Sequence, residues 1–342
     1  MKRITIKDVA KAAGVSTAAI SYALNGKESK VSVETLERIQ ATVASLNYIP
    51  DFSARSLVNK KSNLIGVIIP ETEGYNSAIL ENPFYSEIVS GIESELRKHN
   101  YHLILTGMDR GKGYSDLTLQ RNLDGVIIMG IYNDSLYEEL KKVNIPIILI
   151  DSYIDDTLFK KIGIDDEFGG SMATRHLIDH GHTHIALVTG KIKKDGVVEK
   201  RFLGYKSELE KAGLLYNPAY IFEDSIRYEH GVQAGIMVAQ KHPEITGIFA
   251  TADMVAFGII SGLQEADKRV PEDVSVIGFD DIMMSSMFIP QLTTIRQDIK
   301  AKGIRAAQYL IQTIQGSISN DLEKNTLPLK LIERQSVRRV LS

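Results

Sequence analysis

Cysteine is absent from the 342-residue chain, which removes disulfides, thiolate metal sites and cysteine nucleophiles from consideration. No apolar run approaches the ~18 residues of a membrane-spanning helix; the best, IPIILI at 145–150, falls far short. The opening residues MKRITIKD lack the apolar h-region of a secretory signal, so the cytoplasm is the expected location. There is no Gly-x-Ser-x-Gly, and no nucleophile–base set stands out, so an enzyme is not expected. What is present is ordinary: hydrophobic residues make up 44% and charged residues 24%. That balance fills sizeable soluble cores, and the length suits about two or three domains of ~100–200 residues each.

The net charge of −3 conceals an asymmetry. Residues 1–61 hold ten Lys/Arg against five Asp/Glu, a net of +5, which leaves −8 for the remainder. A basic head on an acidic body suits a polyanionic partner at one end only. The competing reading is a chance fluctuation of surface charge.

The head reads as helical. Thr5 with Asp8 forms a capping pair at the positive end of a helix, and Ile6, Val9, Ala10 and Ala13 give it one apolar face. Gly14 ends it, Ser16 caps a second helix over 17–24, and Asn25-Gly26 stops that one. Ala19, Ile20, Ala23 and Leu24 turn inward, which leaves Thr17, Ala18, Ser21 and Tyr22 on the opposite face. Ser32 caps a third helix whose inner face carries Leu36, Ile39, Val43 and Leu46. So tight a connection makes a helix-turn-helix, whose second helix fits a major groove about 12 Å wide. The bland alternative is a three-helix bundle that binds nothing. Against it, the outer face of the second helix carries no acid.

Downstream, NYIPDFSARSL at 47–57 allows one short helix, with a polar linker at 59–63. Such a helix is marginal alone. It is able to fold on DNA, with Ala54 near the minor groove and Leu57 as an apolar wedge between base steps. The alternative is that Leu57 packs on a core.

From residue 64 onward, apolar runs alternate with amphipathic helical stretches such as 85–99. The runs fall at 64–69, 101–106, 125–129 and 145–150, then at 185–189, 247–250 and 274–278. This predicts an α/β core of two doubly wound parallel-sheet lobes behind an all-α head and hinge helix. The expected domains are 1–50, 51–63 and 64–342. Ligands of such sheets bind outside the carboxyl ends of the strands. Asp151 and Asp280 end strands and Arg201 opens a helix after a loop, so together they suit the hydroxyls of a small effector. Phe84 and Tyr85 suit stacking on a flat face of it. The structural alternatives are a helix cap for Asp280 and a surface ion pair for Arg201. Two tempting motifs fail. GMDRGKG at 107–113 lacks the spacing of a phosphate loop. The imidazoles of HGHTH at 180–184 suit a helix C-terminus better than a metal. Neither a cofactor nor a metal is expected.

These motifs resemble the LacI/GalR family, the lactose/galactose repressors of bacteria. The head carries TIKDVA at 5–10, AGVS at 13–16, Ser21, ALN at 23–25, Val31-Ser32, NYIP at 47–50 and ARSL at 54–57. The body carries NPFY at 82–85, DGVI at 124–127, RFLGY at 201–205, PEDVSVIGFDD at 271–281 and PQLTTI at 290–295. By position, Thr17, Ala18, Ser21 and Tyr22 match the family's recognition helix, and Ala54 and Leu57 its hinge helix. Thr5, Asn25 and Arg55 complete the expected DNA-facing set. Asp151, Arg201, Asp280 and Tyr85 match ligand contacts of family members.

The resemblance implies a repressor that binds a pseudo-palindromic operator in double-stranded DNA as a homodimer. Its effector would be a sugar, sugar phosphate or similar, in carbohydrate metabolism. A protein corepressor is the alternative, and a ligand-binding protein without DNA regulation a further one. No membrane partner is expected. The implied fold resembles periplasmic sugar-binding proteins. Its chain crosses between lobes near 161–165, 288–293 and 322–327, so lobe 1 takes 64–160 and 292–322, and lobe 2 takes 161–291 and 323–342. Departures are Tyr22, where arginine or histidine is frequent, Ala252 in place of a common asparagine, and Ile226 in place of a stacking aromatic. The 107–120 stretch is short for the family and 71–81 long.

Overall fold

Asp8 turns back on Thr5, its Oδ2 accepting the Thr5 backbone N–H at 2.9 Å and the Thr5 hydroxyl at 2.7 Å, and helix α1 (Ile6–Ala13) starts there. The computed structural model describes residues 4–24, 28–48, 61–70, 79–108, 122–130, 135–155, 157–317 and 325–340. It divides into two compact units, Met1–Asn63 and Leu64–Ser342.

In the first unit, Gly14 closes α1 at φ 65°, a left-handed conformation that glycine adopts without steric penalty. The Ser16 hydroxyl accepts from the Ala19 N–H at 3.2 Å to open α2 (Thr17–Leu24). Ser32 caps α3 (Val33–Ser45) by accepting from the Thr35 N–H at 3.3 Å. Val9, Ala10, Ala13, Ile20, Ile39 and Tyr48 form the buried centre. Residues 49–60, and with them the expected hinge helix, lie outside the described residues.

The second unit contains two six-stranded sheets. Lobe 1 runs in the order β11-β5-β4-β3-β1-β2. Its strands are β1 (Leu64–Pro70), β2 (His102–Met108), β3 (Gly125–Met129), β4 (Ile147–Ile150), β5 (Lys160–Ile164) and β11 (Thr326–Leu327), all paired in parallel. Lobe 2 runs β12-β10-β9-β8-β6-β7. Its strands are β6 (Ile185–Gly190), β7 (Ile221–Asp224), β8 (Gly247–Ala250), β9 (Ser275–Asp280), β10 (Thr293–Gln297) and β12 (Leu329–Ile332). Only β12 pairs antiparallel among the described strands. The central strands β3, β4, β6, β8 and β9 are buried along their whole length, which is why they read as largely apolar runs.

The chain passes from lobe 1 to lobe 2 between β5 and helix Asp166–Asp179, and returns between β10 and helix Ile299–Gln315. It passes once more between β11 and β12. The second crossing therefore follows Gln297, later than the expected 288–293, and residues 292–297 belong with lobe 2 instead of lobe 1. The cause is β10, which pairs Thr293 with Ile277 of β9 and buries Thr293, Thr294 and Gln297. With Ile295 the one apolar residue among its buried threonines and glutamine, the strand carries little apolar signal. Likewise Thr326 and Leu327 pair with Gly163 and Ile164 of β5, so they stay with lobe 1.

Candidate functional site

Two regions hold the residues from which function is expected. In the head, Thr17 and Ala18 are exposed and Ser21 and Tyr22 half-buried on α2, while Ile20 is buried. The Lys30 ammonium lies 5.2 Å from the Tyr22 ring centroid, which sets a cation beside that face. Thr5 is exposed at the α1 cap. Asn25, Ala54, Arg55 and Leu57 lie outside the described residues.

In the body, Asp151, Arg201 and Asp280 are joined by a chain of polar contacts where the lobes meet. Asp151 follows β4 at φ 53°, a left-handed conformation that a short polar side chain tolerates. Its carboxylate accepts the Lys302 ammonium through both oxygens, at 2.7 and 3.0 Å. Lys302 also donates to Gln297 Oε1 at 2.5 Å, and Gln297 Nε2 donates to Asp280 Oδ1 at 2.5 Å. Asp280 Oδ1 stands 3.9 Å from the Arg201 guanidinium. Arg201 in turn donates through Nε to Asp166 Oδ1 at 2.7 Å, and through Nη1 to the Thr251 carbonyl at 2.5 Å. Its guanidinium lies 3.6 Å from the Phe279 ring centroid. Asp166 Oδ2 accepts the Tyr153 hydroxyl at 2.6 Å, which returns the chain to lobe 1 two residues from Asp151.

The local fold explains why these groups meet. Gly170 faces the backbone of Arg201, and Gly204 faces the backbone of Glu167 and Ser171, with no room for a Cβ at either. The two helices Asp166–Asp179 and Val197–Lys211 thereby approach closely enough for Arg201 to reach Asp166. Asp280 takes φ 121° and Asp281 φ 58°, and the two side chains have different partners. Asp281 is held by Arg296 at 2.5 Å and Arg334 at 2.6 Å, whereas Asp280 bonds to Gln297.

The electrostatics are those of a buried acidic cluster. Burial raises Asp151 above the usual carboxylate range, opposed by Lys302. Burial likewise pushes Asp280 up to about 6, opposed by Arg201. Asp253 lies behind it, fully buried. It accepts from the Ile282 N–H at 3.0 Å, Ser285 at 2.7 Å and Thr294 at 2.6 Å. Burial first, then Asp280, pushes it to about 8. Burial works to lower the Arg201 pKa, but Asp166 and Asp280 outweigh it and raise it.

Phe84 reaches the site, since the Lys302 ammonium lies 5.8 Å from its ring centroid. Tyr85 packs edge-on against Phe84 at 5.4 Å. Ala252 precedes helix Asp253–Glu265 without a side-chain cap, and Ile226 packs on the core. His182 is buried, with Nδ1 on Thr246 at 3.0 Å and Nε2 on the Arg338 carbonyl at 3.2 Å. Burial lowers its pKa to about 4, so this imidazole joins Thr246, just before β8, to the irregular chain at Arg338 as a neutral group. Of the GMDRGKG motif, Gly107 and Met108 end β2, and residues 109–113 lie outside the described residues.

Sequence reasoning missed Lys302, Gln297, Asp166 and Tyr153. Lys302 did leave a signal. It stands at an inner position of its helix, three residues after buried Ile299 and four before buried Ala306.

Residues 5–51 match the family described as bacterial regulatory proteins, lacI family, and residues 174–337 match a periplasmic binding protein-like domain. The HTH-type transcriptional repressor PurR of Aliivibrio salmonicida is 34% identical over 317 residues, covering 91% of this chain and 92% of its own. The ribose operon repressor of Haemophilus influenzae is 33% identical over 323 residues, covering 92% and 93%. The crystal structure of the lac repressor dimer bound to operator and the anti-inducer ONPF superposes with a TM-score of 0.84 at 28% identity. That match covers 98% of this chain and all of the other.

Proposed function

Because the chain belongs to the LacI family of bacterial regulatory proteins, we propose that α2 reads an operator through Thr17, Ala18, Ser21 and Tyr22, and that the Asp151–Arg201–Asp280 cleft holds the effector. The chain is a DNA-binding transcriptional repressor under effector control and not an enzyme. The observation that carries the cleft assignment is the polar chain from Asp151 in lobe 1 to Asp280 and Arg201 in lobe 2. A ligand that bonds both ends favours one arrangement of the lobes by its differential affinity, and only by that amount.

The effector is an uncharged, hydroxyl-rich molecule of the sugar or nucleoside kind. Asp151, Asp166 and Asp280 outnumber Arg201 and Lys302, and both cations already donate to protein acceptors. The cleft therefore presents acceptors, which suits ligand hydroxyls and repels phosphate. Two heads on a pseudo-palindromic operator require a homodimer. Met283, Met287 and Ile289, exposed at 70%, 64% and 83% in one loop of lobe 2, offer apolar surface to a second copy. Operator binding takes place on the chromosome, in the bacterial cytoplasm.

The test is a thermal-shift screen of matched pairs: ribose and its phosphate, glucose and its phosphate, adenosine and its monophosphate. The uncharged member is expected to raise the melting temperature more. Fluorescence anisotropy on operator DNA then follows the active ligand. Arg201→Lys and Asp280→Asn are expected to abolish its effect, with ligand-free operator affinity within about threefold, or ~0.7 kcal/mol. Full retention of the response in both variants, or stabilisation by a phosphate alone, sinks the assignment. Ile289→Asp is expected to shift sedimentation toward the monomer.

A further inference from the structure

The inward face of helix Ile299–Gln315 is apolar except at one place. Ile299, Gly303, Ala306, Ala307 and Leu310 are buried along it, and so is Lys302, which is fully inaccessible. An ammonium in that position is tolerated only when every N–H finds an acceptor. Lys302 has three, and they go to Asp151 Oδ1, Asp151 Oδ2 and Gln297 Oε1. None remains for a ligand, so Lys302 is not itself a ligand contact.

Its partners lie on either side of a crossing. Asp151 belongs to lobe 1, at the end of β4. Gln297 is the last residue of β10 in lobe 2, and its amide passes the link to Asp280 on the neighbouring strand β9. Gln297 is itself buried, so water does not compete for either bond. Asp298, the cap of the helix, is engaged with the Ala301 N–H at 2.9 Å and adds no competing bond to the ammonium.

We propose that Lys302 is the positioning residue of the cleft: its ammonium ties Asp151 of lobe 1 to Asp280 of lobe 2 through Gln297, and so sets the spacing of the two carboxylates. The inference rests on the effector reading of the cleft for its functional meaning, but the tether itself exists without any ligand. Neutralising Asp151 is the lesser part of the role; an apolar pair at 151 and 302 would achieve that too. What such a pair lacks is the bond to Gln297.

Hydrogen–deuterium exchange on the full chain, without ligand, tests the tether. The readout is exchange in residues 294–304 and 151–154, against strands β3 and β8 as internal controls. Lys302→Met is expected to raise exchange at the crossing at least roughly tenfold, with the control strands unchanged. Asp151→Asn with Lys302→Met is expected to stay as loose, because removing the charge does not restore the link. Gln297→Leu leaves the Asp151–Lys302 pair intact and is expected to loosen the same segments. It decides the matter alone where Lys302→Met does not fold. Crossing exchange within about twofold of the parent in Gln297→Leu, or in the double variant, overturns the proposal. A cleft that binds no effector leaves these results standing, so the two failures are distinguishable.

Discussion

The head and the body arrange their charge in opposite ways. The head is basic, and the face assigned to DNA is exposed at Thr17 and Ala18, with Lys30 beside Tyr22. The body is acidic, and the charged groups of its cleft are buried against one another, with Lys302 and Asp166 fully inaccessible. On the proposed assignment, the difference follows from the partners. A long polyanion is bound by releasing its condensed counterions, which needs mobile surface cations and no prior pairing. A small molecule is bound by replacing water around each of its groups, which needs acceptors already desolvated and fixed in place. One region is thus governed by salt and the other by geometry and protonation.

The sharpest way to break this contrast is to separate the regions. A chain starting at Ser62 is expected to lose operator affinity by at least roughly a thousandfold, the gap between specific and non-specific binding. Anisotropy on operator DNA checks it, and retained binding would place the reader in the acidic body. The next largest effect is on the cleft. Burial pushes the Asp280 carboxyl up to about 6, opposed by Arg201. An acid with a raised folded pKa binds its proton more tightly in the native state, so its contribution to stability shrinks as pH rises from about 4 through 6. Effector binding runs the other way, because only the ionised carboxylate accepts without a proton of its own. Affinity is expected to fall about tenfold from pH 7 to pH 5, and calorimetric titration of the parent chain across that range checks it.

Smaller effects sharpen the comparison. Lys30→Ala is expected to reduce the slope of log K against log salt by about one. Lys241→Ala, an exposed change on the body, is expected to leave the slope alone. An equal change from both variants would mean that the whole surface, not the head, meets the phosphates. Ser32→Ala removes the acceptor for the Thr35 N–H and is expected to destabilise the head by about 1 kcal/mol. Calorimetry is expected to show the head transition moving while that of the body stays.

What could be read from the residues, and what could not, divides along burial. The strands at 64–69, 125–129, 185–189 and 247–250 are visible because both faces of each sheet are covered and nearly every position is apolar or glycine, Thr189 being the exception. The second crossing was misplaced because β10 buries threonines and a glutamine, which look like loop. Asp151 and Asp280 stand at strand ends as their positions suggested, whereas Arg201 lies in the second turn of helix Val197–Lys211 and not at its start. Lys302 was passed over because a lysine on an amphipathic helix normally reads as its solvated face, and only its spacing from Ile299 and Ala306 places it inward. Asp166 and Tyr153 were hidden for a different reason: their pairing joins residues whose proximity exists only once the chain has crossed from β5 of lobe 1 into the first helix of lobe 2. The head was legible almost throughout, since its caps at Thr5, Ser16 and Ser32 act within three residues.

Gly170 and Gly204 have a bearing on inheritance as well as on packing. Neither has a side chain to offer a ligand, yet each sits against the backbone that presents Arg201 and Asp166. Any larger residue there wedges the two helices apart and draws the guanidinium away from its carboxylate. A genetic selection for alleles deaf to the effector should therefore return these glycines beside Arg201 itself. Mapped by distance alone, they would be mistaken for remote lesions.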